Sequence, residues 1–127
     1  MGGEQIIEDV RIILAGIWIA LMLTYLLGDV MRIFAGDFTP GKIEGKKMTQ
    51  GMLMLMALLM LIPIVMIVLS LALSYPTIRW VHIIAAGFLF IFNLAGVRTY
   101  PGIYDRFLIV VGLVFNAITI WYAWTWV

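Results

Sequence analysis

Four long apolar stretches leave this chain almost no choice of environment. They run from Ile12 to Phe34, Met52 to Leu73, Val81 to Val97 and Leu108 to Trp126. A helix rises about 1.5 Å per residue, so about 20 apolar residues cross a hydrocarbon core about 30 Å thick. Inside lipid only helices and closed barrels satisfy every backbone N–H and C=O. The runs are continuous, whereas the strands of a membrane barrel alternate between lipid-facing and lumen-facing residues. The expected fold is therefore an all-α membrane protein with four transmembrane helices, at approximately 9–35, 49–74, 78–99 and 105–126. Short connections make consecutive helices antiparallel neighbours, which gives an up-down-up-down bundle.

Charged residues make up 12% of the chain, against about 25% in an ordinary soluble domain. The connections are too short to hold a separate soluble domain, so residues 1–127 are read as one transmembrane domain in contact with membrane lipids. A net charge of +1 argues against nucleic acid, whose phosphates demand a basic face. The chain contains no cysteine, which removes disulfides, thiol redox chemistry and thiolate metal sites together. No cofactor is expected. The first span is preceded by the acidic Glu4, Glu8 and Asp9, where a secretory signal needs a basic start, and it is read as a retained helix.

Lys and Arg distribute unequally between the two sides. Arg32, Lys42, Lys46, Lys47, Arg98 and Arg106 fall on one side, Arg11 and Arg79 on the other. Six against two places the first and third connections in the cytoplasm and both termini outside. Trp80, Trp121, Trp124 and Trp126 would then form an outer interfacial girdle, with Tyr100 and Tyr104 near the inner surface. Pro40 and Gly41 mark a turn in the first connection, and the lysines after it are expected to rest against anionic head groups. Pro76 and Pro101 are expected to end helices.

Little hydrophobic drive holds helices together in lipid, so small residues and close packing must do it. On the first span Gly16, Ala20, Thr24 and Gly28 recur every four residues and suggest a packing seam. The second span carries methionines at the same interval: Met52, Met56 and Met60, after Met48. Thioethers bind Cu(I), and the spacing resembles that of eukaryotic-type copper transporters, which however have three spans. Methionine also serves as an adaptable packing residue, the weightier reading here. Pro63 near the middle of that helix is expected to free a carbonyl and kink it.

Asp29 is the outlier inside the apolar runs. An intramembrane carboxylate costs a few kcal/mol unless paired, hydrated or protonated. Tyr25 and Arg32 share its face at i−4 and i+3, so an Asp29–Arg32 pair at the membrane edge competes with a ligand- or proton-handling acid. Asn93 and Asn116, on the third and fourth spans, reach similar depth, and Thr119 shares the face of Asn116. Tyr25, Asp29, Asn93 and Asn116 are thus the candidate binding residues, with interhelical hydrogen bonding as the simpler alternative. His82, the only histidine, reads as interfacial packing beside Trp80, although histidine titrates near neutral pH. No Ser-His-Asp set or phosphate-binding glycine loop stands out, and no catalytic residue is assigned.

Glu8-Asp9-Val10 followed by Trp18, Tyr25 and Asp29 resembles the opening of a family of small prokaryotic four-helix membrane proteins classed as a domain of unknown function. Ile62-Pro63-Ile64 with Ser70, Arg79-Trp80 and the terminal Trp121-Tyr122-Ala123-Trp124-Thr125-Trp126 extend the resemblance over nearly the whole chain. It implies four spans and a bacterial or archaeal cell membrane, and carries no activity. A remoter similarity to DoxX-like four-helix proteins concerns size and span layout only.

The leading expectation is a non-enzymatic structural or accessory subunit, working as a homo-oligomer or within a larger membrane complex. The alternative is binding or transport of a small hydrophobic or cationic compound in a polar pocket in the inner half of the bundle. An enzyme using Asp29 or His82 ranks third, because the two lie at opposite depths.

Overall fold

Each apolar run forms one helix. The computed structural model describes residues 9–36, 42–43, 46–97 and 102–126. Helix α1 spans Asp9–Ala35, α2 Gln50–Ala72, α3 Thr77–Gly96 and α4 Ile103–Thr125. All four are long and apolar enough to cross a membrane. Between α1 and α2, two short strands, β1 (Lys42–Ile43) and β2 (Lys46–Lys47), pair antiparallel with Lys42 opposite Lys47. This hairpin marks one end of the bundle and Pro76 the other. The expected turn at Pro40–Gly41, Pro101, Arg98 and Tyr100 lie outside the described residues, as do Glu4 and Glu8.

Local chemistry sets the helix ends. Asp9 opens α1 where the helix dipole favours an anion. Gly36 closes it with φ +77°, a left-handed conformation that glycine adopts without steric cost. Thr49 caps α2, its hydroxyl accepting the Met52 amide at 3.2 Å. Pro63 is buried within α2, and its missing N–H leaves the Leu59 carbonyl without the usual helical donor. At the Pro76 end, Arg11 donates to the carbonyls of Ser70 (3.2 Å) and Leu73 (2.6 Å), and Arg79 to those of Ala123 (2.9 Å) and Trp124 (2.7 Å). Each arginine begins one helix and caps the exposed carbonyls of another, where cations suit the dipole.

The helices form an antiparallel four-membered bundle. Helix α1 packs on α2 and α4, α3 packs on α4, and α2 meets α3 far more sparsely. Along α1 the inward positions are Leu14, Trp18, Leu21, Tyr25, Gly28 and Arg32, alternating steps of four and three as in a coiled-coil seam. The buried positions of α4 are Asp105, Gly112, Asn116, Thr119 and Ala123. Large residues on α1 thus meet small ones on α4. A Cβ on Gly112 would lie 3.4 Å from the Tyr25 ring and 3.5 Å from Leu21. The central core gathers Trp18, Leu21, Met66, Ala86 and Leu89, and a second cluster of Leu14, Ile78 and Trp126 fills the Pro76 end.

The small-residue series on α1 does not follow one face of the bundle. Four residues turn a helix about 400°, so a four-residue repeat drifts by about 40° per step. Gly28 is buried near Leu108, Ala20 and Thr24 are half-buried, and Gly16 faces outward with open space beyond it. The tryptophans divide as well. Trp80, Trp121 and Trp124 are exposed at the Pro76 end, as an interfacial girdle requires. Trp126 turns inward instead: it is buried, 5.3 Å from the Tyr75 ring and 5.2 Å from the Arg11 guanidinium. Apolar side chains cover most of the remaining outer surface, the surface that lipid solvates.

Candidate functional site

Helices α1 and α3 stand diagonally across the bundle, and long polar side chains bridge them at two levels. Nearer the hairpin, Asn93 Nδ2 donates to the Tyr25 hydroxyl at 2.8 Å. Nearer Pro76, Trp18 Nε1 donates to His82 Nδ1 at 2.9 Å. Between and around these bridges the two halves of the bundle differ. Buried clusters around Trp18 and Leu14 fill the centre and the Pro76 half, whereas the hairpin half holds a half-open cavity of about 350 Å³.

All four helices line this cavity. Helix α1 contributes its polar wall: Thr24, Tyr25, Asp29 and Arg32. Helix α3 adds Asn93 with Leu89 and Phe92, α2 adds Met56, Leu59 and Met60, and α4 adds Leu108 and Ile109. Gly28, one turn from Arg32 on the inward seam, keeps the wall low. The cavity is therefore apolar over most of its lining, with polar groups concentrated on α1 and at Asn93.

Arg32 is the electrostatic centre. Its Nη1 donates to Asp29 Oδ1 at 2.5 Å and its Nε to Asp105 Oδ2 at 2.9 Å. The two acids differ in surroundings: the Asp29 side chain is 53% exposed and that of Asp105 only 2%. Asp105 Oδ1 has no hydrogen-bond partner among the described residues. Asp105 belongs to the first turn of α4, where the helix dipole favours a carboxylate. Sequence reasoning missed this residue because the apolar run starts only at Leu108. The available signal was an acid at the start of a span, at the depth where an antiparallel neighbour brings Arg32.

Of the expected binding residues, the structure brings Tyr25, Asp29 and Asn93 to one cavity. Asn116 lies behind its wall, fully buried with its amide directed at Tyr25, though neither amide atom makes a hydrogen bond of ordinary geometry among the described residues. Thr119 spends its hydroxyl on the Phe115 carbonyl of its own helix at 2.9 Å. Met56 and Met60 line the cavity, and Met52 is exposed on α2 outside the lining. No three His, Cys, Asp or Glu side chains among the described residues come together as metal ligands.

His82 packs inside the bundle rather than on its outer face: it is fully buried, with Trp18 of α1 on one side and Ser70 of α2 on the other. Because Trp18 N–H can only donate, Nδ1 must be the acceptor and Nε2 carries the proton. Nε2 stands 3.4 Å from Ser70 Oγ, which donates to the Met66 carbonyl at 2.5 Å. Donors and acceptors then run in one direction, from Trp18 through His82 and Ser70 to the α2 backbone. The neutral imidazole ties three helices together and is satisfied on both nitrogens.

A model described as a family of unknown function, DUF6326, matches residues 5–127. The chain belongs to the DUF6326 family. No curated protein and no solved structure matches it. Within this DUF6326 chain, Trp18, Tyr25, Asp29, Ser70 and Arg79, the residues that carried the resemblance, occupy the two bridges, the ion-pair cluster and a helix cap.

Proposed function

We propose that this protein holds a small hydrophobic or cationic compound in the hairpin-end cavity, as a binding or transport protein of a bacterial or archaeal cell membrane. One observation carries the reading: a cavity of about 350 Å³ stands against Tyr25, Asp29 and Asn93. Helices in lipid cohere through close packing, so a purely structural bundle gains nothing from such space. Small-molecule sites are commonly apolar hollows with a few polar groups that fix orientation. Asp29 lies six residues, about 9 Å, before the end of α1, a depth at which an acid is costly without a role. Asn116 supports the site from behind, through Tyr25.

The test uses purified protein in lipid nanodiscs and native mass spectrometry, with decyltrimethylammonium and decanol as probes. Wild-type protein is expected to retain at least one of them saturably, one per chain, and Thr24→Trp, which fills the cavity, to retain neither. Undiminished binding by a folded Thr24→Trp protein, or no saturable binding by wild type, overturns the reading.

In this reading the hairpin end faces the cytoplasm and both termini lie outside. Supporting it, the two basic residues at the Pro76 end, Arg11 and Arg79, are both engaged with helix-end carbonyls. The chain has no cysteine, so Lys46→Cys and Thr125→Cys report each side separately. Impermeant maleimide should label the second in intact cells and the first only after permeabilisation.

A second reading, assembly of copies or incorporation in a larger complex as an accessory subunit, draws on Gly16. Its outward face is open and would admit another helix closely. A strictly monomeric mass in nanodiscs, with no co-purifying protein, would remove it.

A further inference from the structure

We infer that the cavity selects a lipophilic cation, an ammonium-class head on an apolar tail, and admits it sideways between α2 and α3. This rests on the binding reading above and narrows it to one ligand class and one route.

Charge decides the class. Asp29 and Arg32 line the cavity and Asp105 is bonded to Arg32. Two carboxylates and one guanidinium give this group a formal charge of −1. Arg32 donates to both acids, and of these two carboxylates Asp29 is the one that lines the cavity. A cation entering the hollow neutralises the Asp29 carboxylate at its wall and is attracted more strongly beside apolar side chains than in bulk water. Aromatic faces reinforce the preference. Tyr25 stands one turn from Asp29, and Phe92 lines the cavity from α3; rings of this kind attract quaternary ammonium groups. An anionic head would meet the same carboxylate with the opposite sign.

Geometry decides the route. The hydrogen-bonded link between α2 and α3, Ser70 with His82, lies near the Pro76 end, and the two helices touch sparsely elsewhere. Towards the hairpin they flank the cavity with Met56 on one side and Phe92 on the other. Both line the cavity and both are exposed apolar side chains, so they stand at the mouth. Phe92 also stacks with Phe88, 6.1 Å away along α3, which extends an aromatic strip from the mouth over the outer face. A head can reach Asp29 while its tail lies against Met56, Met60 and Leu89 and continues into the acyl chains. Methionine suits such a threshold because its unbranched thioether repacks around varied shapes.

The experiment measures saturable binding of decyltrimethylammonium, decanol and decyl sulfate to the protein in nanodiscs, with empty nanodiscs subtracted. Wild type should prefer the cation over both others by about tenfold or more, the ratio that 1.4 kcal/mol supplies. Asp29→Asn should abolish that preference by lowering cation binding to the level of decanol, and Asp29→Glu should restore it. Asp29 is half exposed and Asn leaves the Arg32–Asp105 bond intact, so the variant retains its fold; an unaltered unfolding midpoint checks this. Equal binding of cation and alcohol, or a cation preference that survives Asp29→Asn, overturns the ligand class while leaving the cavity as a binding site. Loss of saturable binding for all three probes in wild type defeats the binding reading itself. For the route, Met56→Cys and Phe92→Cys joined by a short bis-maleimide should slow cation association about tenfold or more, as closing a portal does. An unchanged rate refutes lateral admission.

Discussion

Arg32 on α1 joins the buried Asp105 on α4 through a 2.9 Å hydrogen bond and so fastens the end of the first helix to the start of the last. The same guanidinium holds Asp29. One cation thus serves two acids in opposite surroundings, one a buried anchor and the other open to the cavity. Removing Arg32 therefore differs in kind from removing either acid. Arg32→Ala leaves the Asp105 carboxylate buried without its counter-ion, a change that costs about 3–5 kcal/mol where measured in soluble proteins. Asp105→Asn leaves Arg32 still paired with Asp29 and should cost about 1.5–3 kcal/mol, the range for a hydrogen bond to a charged group. The double variant should be less unstable than the sum. Unfolding in mixed micelles of increasing denaturing detergent measures all three, and strict additivity would show that the bond has no energetic content.

The hydrogen bonds around His82 predict a spectroscopic signature. With Trp18 donating to Nδ1 and Nε2 facing Ser70, the ring must be neutral with its proton on Nε2. Nitrogen-15 NMR of selectively labelled protein should give a pyridine-type shift for Nδ1 and a pyrrole-type shift for Nε2. Trp18→Phe removes the donor while preserving most of the volume. It leaves a buried acceptor unpaired and should destabilise the bundle by about 1–3 kcal/mol.

Much of this was legible in the sequence, and what was not has a common physical origin. Length and continuous apolarity fixed four spans, since lipid permits few solutions for backbone polar groups. Asp29 with Arg32, and Tyr25 near Asn93, followed from helical spacing and crossing direction. The sparse α2–α3 contact did not, because α2 is apolar all round and lipid and protein neighbours select the same side chains. The burial of His82 and Trp126 was hidden for a related reason: at the ends of spans, polar and aromatic residues suit the interface and the core equally. The drift of Gly16 away from the bundle reflects counting in fours where the helix turns every 3.6 residues. The β1–β2 pairing joins segments of two residues each, too short to show an alternating pattern.

The two arginine caps predict a position-dependent cost. Arg79→Ala removes the side-chain donor from two carbonyls at the end of α4 and also removes the cation lying 5.4 Å from the Trp80 ring and 5.6 Å from the Trp124 ring. A loss of about 1.5–3 kcal/mol is expected from the hydrogen bonds to a charged donor. Arg79→Lys should recover only part of it, because an ammonium cannot fork to two carbonyls and lie flat on an indole. Thermal unfolding followed by tryptophan fluorescence measures both variants.

Glycines on opposite faces separate packing within the chain from packing between chains. A Cβ at Gly112 meets Tyr25 and Leu21 at 3.4 and 3.5 Å, while nothing lies within 4 Å of one at Gly16. Gly112→Leu should overpack the α1–α4 seam and cost about 1–3 kcal/mol. Gly16→Leu should leave the stability of a monomer unchanged. If copies associate through this face, Gly16→Leu should dissociate them in native mass spectrometry without lowering the unfolding midpoint of the released chain.

Asn116 supplies the sharpest contrast between fold and function. It is fully buried; its amide approaches Tyr25, but neither its nitrogen nor its oxygen makes a hydrogen bond of ordinary geometry among the described residues. A buried polar group left unpaired costs about 1–3 kcal/mol, whereas leucine has nearly the same shape and no such penalty. Asn116→Leu should therefore raise the unfolding midpoint of the empty protein. Stability gained in this way commonly comes at the expense of activity where the original group serves a site. Beside Tyr25, whose hydroxyl already accepts from Asn93, the Asn116 amide is placed to steady the phenol when a ligand occupies the cavity. The variant should then bind decyltrimethylammonium more weakly although it unfolds later. A rise in midpoint with unchanged binding would make Asn116 an unsatisfied core residue without a part in the site, and a fall in midpoint would show that its amide is paired in the membrane after all.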